Sequence, residues 1–223
     1  MMLSLILTES SLELIPKEIQ NHNSITSYCK KFKKNPSEIL LDNSWHYAAM
    51  KGMDNEIKRG RPDLVHFSLL EACTIPLYLE KKLRIYVHTI DDKIIFIGDD
   101  VYLPKSYHRF AGLIEKLYRD KVIQLDGKKL LEMKKMNFNE LLDKIKPKQV
   151  LGITIEGISS SYEDVAKKLT KDSCIVIGGF PKGHFSDKIK KRIDQLLSVY
   201  NKSLESHVVI SRILYEYEKT IFM

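Results

Sequence analysis

Cys174-Ile175-Val176-Ile177-Gly178-Gly179-Phe180-Pro181-Lys182-Gly183 decides how this chain is read. Its first four residues form a short apolar run, rich in β-branched side chains and closed by glycine, which predicts a buried strand. Downstream, the apolar run Leu196-Leu197-Ser198-Val199-Tyr200 leads into Asn201-Lys202-Ser203. A last helix then carries Leu204, Val208, Val209, Ile213, Leu214 and Tyr217 on its apolar side. Two strand-ending loops therefore lie close together near the C-terminus. In an α/β sheet such loops sit at the carboxyl ends of strands, where ligands bind. The glycines read either as a tight turn that needs positive φ or as a place where backbone meets a ligand. No Gly-Lys-Ser/Thr follows and the Gly-x-Gly-x-x-Gly spacing is absent, so neither a P-loop nor a dinucleotide fingerprint is present.

Upstream, Val150-Leu151-Gly152-Ile153-Thr154-Ile155 predicts a strand stopped by Glu156-Gly157. Residues 161–169 predict a helix capped by Ser160 or Ser161, with Asp164 completing the cap. The last third thus reads β-α-β-α-β-α, which implies parallel strands.

The first two thirds are more mixed. Residues 3–7 (LSLIL) predict a strand ended by Thr8-Glu9-Ser10-Ser11, followed by a loop or short helix to Gln20. Tyr28-Cys29-Lys30-Lys31-Phe32-Lys33-Lys34 is a basic cluster around an aromatic, either a solvated face or a phosphate contact. Asn35-Pro36 breaks the chain, and residues 45–53 predict a helix with Trp45 in the core. In Lys58-Arg59-Gly60-Arg61-Pro62-Asp63-Leu64-Val65-His66, Pro62 fits the first position of a helix and Asp63 its first turn. Leu64, Phe67, Leu70 and Ala72 supply its apolar face, and His66 reads as a core histidine. Arg59 and Arg61 flank the helix start, where side-chain charge and dipole converge on a place for phosphate.

Residues 83–90 and 93–98 predict two strands joined by Asp91-Asp92. The helix after Leu103-Pro104 has Phe110, Leu113, Ile114, Leu117 and Tyr118 at clean helical spacing. Lys105, Arg109, Gly112 and Lys116 fall on its polar side, a stripe that suits a phosphate backbone or a solvated face. Residues 130–133 predict a strand, and residues 138–146 an amphipathic helix ending at Pro147.

With 223 residues, of which 43% are apolar and 29% charged, the chain can bury a sizeable core. A net charge of +7 favours an anionic partner, nucleic acid or a membrane surface. Cys29, Cys73 and Cys174 are odd in number and far apart, which argues against a disulfide framework and a metal site and fits a reducing cytoplasm. The N-terminal apolar run reads as a strand rather than a signal peptide, and no run reaches the ~18 residues of a membrane helix.

Three stretches together resemble one family. They are Arg59-Gly60-Arg61-Pro62-Asp63-Leu64-Val65-His66, the segment from Leu103-Pro104-Lys105 through Arg109-Phe110 to Gly112-Leu113, and Ile177–Gly183 with Ser203-Leu204 and the closing helix. They look like the ribosome-biogenesis methyltransferases of the SPOUT class, which modify N1 of a pseudouridine in small-subunit (16S-type) ribosomal RNA, and like an archaeal-type member of them.

The resemblance implies one α/β domain over residues 1–223, with a SPOUT-type parallel sheet. It implies a family-specific extension within about residues 20–60, an inserted hairpin and basic helix at about 83–120, and a trefoil knot over about 150–218, a rare exception to unknotted topology. It also implies a homodimer that uses S-adenosylmethionine as cofactor and requires neither metal nor membrane. The cofactor contacts would fall at Ile153, Thr154, Gly178, Gly183, Val199, Tyr200, Asn201, Lys202, Ser203 and Leu204. RNA would be held by Arg59 and Arg61, with Asp63 keeping Arg61 in place, and by Tyr102, Lys105 and Arg109. At Lys105 the family commonly has arginine, which can bind phosphate with a two-pronged fork where lysine cannot.

Methyl transfer needs the acceptor nitrogen in line with the sulfonium methyl, so positioning supplies most of the acceleration. The N1 proton must also leave. Asp63 is the candidate base, provided it is not committed to Arg61. The competing reading is a non-catalytic RNA-binding assembly factor that uses the same basic surfaces.

Overall fold

The computed structural model describes residues 2–222. The strands are β1 (Leu3–Ser10), β2 (Leu83–Thr89), β3 (Lys93–Ile97), β4 (Val122–Leu125), β5 (Lys128–Lys135), β6 (Gln149–Ser159), β7 (Ser173–Gly178) and β8 (Gln195–Ser198). They form one sheet in the order β4-β5-β3-β2-β1-β7-β6-β8. β2, β1, β7, β6 and β8 run parallel, as the β-α-β pattern predicts, and β3, β5 and β4 extend the sheet antiparallel.

The helices are α1 (Asn23–Phe32), α2 (Asn43–Met50), α3 (Pro62–Ala72), α4 (Pro76–Leu79), α5 (Tyr107–Asp120), α6 (Phe138–Ile145), α7 (Tyr162–Lys168), α8 (Asp187–Lys190) and α9 (Ser206–Phe222). Alternation along β1 divides the core between the two faces of the sheet. Leu3, Leu5 and Leu7 join Val65, Leu69, Phe110, Ile213 and Leu214 in the larger cluster, under α3, α5 and α9. Ile6 points the other way, with Val176, Phe138, Leu141 and Ile189, under α6 and α8. β1 and β7 are buried along nearly their whole length because helices cover both faces. A third cluster stands apart, built from Ile15, Ile25, Cys29, Ile39, Leu41, Ala49 and Met50 around α1 and α2.

Several local expectations change. β6 does not stop at Glu156-Gly157 but runs to Ser159, with a register shift against β8 between Ile153 and Ile158. Gly157 makes that shift possible: a Cβ there would lie 2.4 Å from the Leu197 backbone nitrogen. β1 likewise continues through Thr8-Glu9 to Ser10, with Glu9 at φ 48°. Trp45 is not core; it is 48% exposed on the outer side of α2. On α3, Phe67 faces solvent, and Val65 and Leu69 fill the core beside Leu64 and Ala72. Leu204 precedes α9 rather than lying on it. Ser161 is the cap of α7, accepting the Asp164 N–H at 3.0 Å.

Candidate functional site

The carboxyl ends of β6, β7 and β8 open into a cleft of about 660 Å³. Its walls come from three loops, as the chain order requires when parallel strands end on one side. Every cofactor residue expected from the sequence lines it, except Asn201: Ile153, Thr154, Gly178, Gly183, Val199, Tyr200, Lys202, Ser203 and Leu204. Leu64, Ile177 and Val209 add apolar wall, and Lys182, His184 and Glu205 add charge or hydrogen-bonding capacity.

The glycine-rich loop is held from below. Gly179 N–H donates to the Thr8 carbonyl at 2.9 Å and its carbonyl accepts from Ser11 N–H at 2.8 Å, so the loop leaves β7 still fastened to β1. The Ser206 hydroxyl donates to the Gly178 carbonyl at 2.5 Å, tying the start of α9 to the end of β7. Glu9 accepts from Lys58 Nζ at 2.7 Å and from Ser186 N–H at 3.2 Å. The same ammonium lies 4.6 Å from the centre of the Phe180 ring. Lys58 is 8% exposed, so this pair works largely out of water. Gly183, at φ 102°, takes a backbone conformation that side chains disfavour. The sequence offered no local signal for Glu9 and Lys58, because their partnership spans forty-nine residues.

The cleft suits S-adenosylmethionine on its own chemistry. Its size lies within the range of small-molecule sites. Ile153, Ile177, Val199, Leu204 and Val209 offer an apolar slot for a flat base, while the three loop backbones and Thr154 offer polar groups at its edges.

Beside the cleft, Arg61 and Asp63 form a two-pronged pair. Arg61 Nε donates to Asp63 Oδ1 at 2.8 Å and Nη2 to Oδ2 at 2.9 Å. Hydrogen bonding to Asp63 pushes the guanidinium pKa further up, and the nearby Glu205 and Asp42 charges add to this. Glu205 therefore belongs both to the cleft lining and to the surroundings of Arg61. Arg59 turns elsewhere: its Nη1 donates to Glu13 at 3.0 Å, with both side chains largely buried. Burial pushes the Glu13 carboxyl up to about 7 even so.

The basic helix is bolted to the Arg61 helix. His66 is buried, its Nε2–H donates to the Pro104 carbonyl at 2.7 Å, and its ring stacks on Phe110 at 4.3 Å. The carbonyl can only accept, so the proton sits on Nε2. The Tyr107 hydroxyl donates to Asp42, the cap of α2. Tyr102 and Arg109 are exposed and Lys105 is exposed between them, on the segment that these ties fasten to α2 and α3. Gly112 and Lys116 continue the exposed stripe along α5. Among the described residues, no group of three or more His, Cys, Asp or Glu is placed to hold a metal ion. None of their helices is long and apolar enough to cross a membrane.

Several relatives match this chain over nearly its whole length. The ribosomal RNA small subunit methyltransferase Nep1 of Thermococcus sibiricus is 37% identical, covering 99% of this chain and 99% of its own. The protein of that name from Staphylothermus marinus is 40% identical, covering 95% and 93%. A crystal structure of Archaeoglobus fulgidus Nep1 bound to S-adenosylhomocysteine matches with a TM-score of 0.88 and 34% identity over 98% of both chains. Residues 5–218 match the family model of the EMG1/NEP1 methyltransferases. Sequence and fold agree over nearly the whole chain, and it belongs to the EMG1/NEP1 methyltransferase family.

Proposed function

We propose that this protein transfers the methyl group of S-adenosylmethionine to N1 of a pseudouridine in small-subunit ribosomal RNA, within small-subunit ribosome biogenesis. The observation that carries the reading is the meeting of two features at one edge: the cleft at the ends of β6, β7 and β8, and the Arg61–Asp63 pair with the basic helix beside it. The names of the relatives and the S-adenosylhomocysteine bound to the Archaeoglobus protein support it.

When bound, the cofactor supplies an electrophilic methyl on a sulfonium. The chain's own work is positioning. The loops 178–183 and 199–204, with Ile153 and Thr154, would hold the cofactor. Arg61, Tyr102, Lys105 and Arg109 hold RNA phosphates, with Arg61 kept extended by Asp63. Both Asp63 oxygens accept from Arg61, so Asp63 serves as an orienting group and not as the base that removes the N1 proton. Arg59, paired with Glu13, supports the loop before α3 more than it meets RNA. A target base inside a helical stem has to be turned out of the stack to reach the cleft.

The fold goes with this role. We take residues 1–223 as one SPOUT domain with an extension within about 20–60, a hairpin and basic helix at about 83–120, and a trefoil knot within about 150–218. The return of the chain after β8 to the end of β7, where the Ser206 hydroxyl donates to the Gly178 carbonyl, is in keeping with the knot. The active form is a cytoplasmic homodimer.

The test is to map methylated nucleotides in small-subunit ribosomal RNA from a strain lacking the gene. Loss of one methylated pseudouridine supports the reading. An unchanged methylation map, with small-subunit maturation impaired, would leave a non-catalytic assembly factor.

A further inference from the structure

The separate unit around α1 and α2 presents an aromatic surface that neither the cleft nor the α5 stripe uses. The Tyr28 and Phe32 rings lie 4.6 Å apart, Tyr28 and Trp45 5.4 Å, and Phe32 and Trp45 6.0 Å. Phe32 is 44% and Trp45 48% exposed. These two rings are not needed to close the local core, which Ile15, Ile25, Cys29, Ile39, Leu41, Ala49 and Met50 already build. Contiguous exposed aromatic surface of this kind marks an interaction site.

The surroundings indicate what kind. Lys31 is exposed beside the rings, and Lys30 and Lys33, also exposed, add positive charge on the same helix and at its cap. Lys31 Nζ lies 5.4 Å from the Phe32 ring centre and 5.9 Å from that of Trp45. Protein interfaces are depleted in lysine, whereas aromatic rings set among positive charges are the way proteins hold unpaired nucleic acid: bases stack on the rings and lysines meet phosphates.

The surface is fastened to the RNA face proposed above. Asp42 caps α2 one turn from Trp45, accepting Ser44 N–H at 2.9 Å, and also accepts the Tyr107 hydroxyl at the start of α5. Asn43 N–H donates to the Gly60 carbonyl at 2.9 Å, next to Arg61. Lys34 pairs with Glu115 of α5 at 2.7 Å. The aromatic surface is thus tied to the loop that carries Arg61 and to α5.

We propose that Phe32 and Trp45, with Lys31 beside them, form a stacking platform for one or two unpaired RNA bases flanking the modified nucleotide. The inference rests on the RNA-modifying reading of the cleft. It identifies the ligand class as single-stranded RNA, taken by base faces and phosphates rather than by sequence.

The chain has one tryptophan, so its emission reports this platform alone. The full-length protein is titrated with a twelve-residue oligoadenylate and, separately, with an abasic phosphodiester of the same length and charge. Oligoadenylate should quench Trp45 and the abasic strand should not. By filter binding, Trp45→Leu and Phe32→Leu should each weaken oligoadenylate binding about fivefold or more, the low end of one stacked base. Trp45→Phe should restore part of the affinity, and all three variants should keep the parent's affinity for S-adenosylhomocysteine. Lys31→Gln should lower the slope of log affinity against log salt by about 0.7. Equal quenching by the abasic strand, or unchanged affinity in Trp45→Leu, overturns the platform. So does a shift of Trp45 emission with protein concentration alone, which would assign the surface to a second copy of the chain. If the parent methylates RNA and Trp45→Leu has the same KM for it, the platform falls and the proposed function stands. If the parent fails to bind S-adenosylhomocysteine while oligoadenylate still quenches Trp45, the proposed function falls and the platform stands.

Discussion

Replacing Asp63 with asparagine tests whether this carboxylate is a helix-dipole ornament or the holder of Arg61. In the structure the guanidinium gives one N–H to each Asp63 oxygen, at 2.8 and 2.9 Å. An asparagine has the same shape but only one acceptor oxygen. It loses one of the two bonds and all of the charge, and its amide nitrogen faces an N–H. Both side chains are about a third exposed, so the pair itself contributes at most about 1 kcal/mol to folding. The dipole interaction of Asp63 at the first turn of α3 adds about 0.3–1 kcal/mol. Stability should therefore fall by roughly 1 kcal/mol, small against a whole domain. RNA affinity is the sharper readout. If Asp63 only complements the dipole, removing a negative charge leaves RNA binding unchanged or tightens it. If Asp63 holds Arg61 outward, affinity falls about tenfold, or ~1.4 kcal/mol, although the protein has become more positive. Arg61→Ala should then cost about as much as Arg61→Ala with Asp63→Asn, because the two residues act as a unit. Filter binding of a small-subunit RNA fragment to the four proteins of this cycle decides it. Additive losses, or tighter binding by Asp63→Asn, refute the reasoning.

Gly178→Val should abolish measurable binding of S-adenosylhomocysteine in calorimetry, since a Cβ there would sit 2.8 Å from the Phe180 ring, which is itself braced by Lys58. Unchanged affinity would remove this loop from the site. Arg109→Ala should leave cofactor binding alone and lower the RNA salt slope by about 1; equal slopes for variant and parent would show that Arg109 touches no phosphate. Glu13 gives a pH signature. Burial raises its folded pKa from 4.5 to about 7, so the folded state holds the proton more tightly than the unfolded one. That contribution is complete below about pH 4.5 and is lost as the pH rises to 7, by up to about 3 kcal/mol. Urea unfolding at pH 5 and pH 8 should show this loss in the parent and a smaller one in Glu13→Gln; equal losses would remove Glu13 as its source.

What could be read from the sequence was local or periodic. The parallel β-α-β pattern of β6, β7 and β8, the β2–β3 hairpin, Pro62 at the start of α3 and the apolar stripe of α5 all follow from spacing and capping. The residues expected to meet the cofactor came from the family resemblance, and the cleft brings all but Asn201 together because parallel strands end on one side. What stayed hidden depends on partners distant in the chain. The place of β1 between β2 and β7 is set by pairing across eighty residues and more. β4 is a short edge strand whose residues are half-buried or exposed, so it carries little apolar signal. Trp45 looks like core by composition, but Ala49 and Met50 take the inward side of α2 and leave the indole outside. Glu205 and Lys58 are ordinary charged residues in sequence and become part of the site only when β1, β7 and α9 meet.

The central claim is tested most directly by a single-turnover reaction. The purified protein is given S-adenosylmethionine with a radioactive methyl group and two small-subunit RNA fragments identical except for pseudouridine or uridine at the target position. The products are digested to nucleosides and separated by mass. Label is expected in N1-methylpseudouridine from the first fragment and none from the second, because uridine N1 is bonded to its sugar. Label in both fragments at another position, or in neither although S-adenosylmethionine binds, would contradict it.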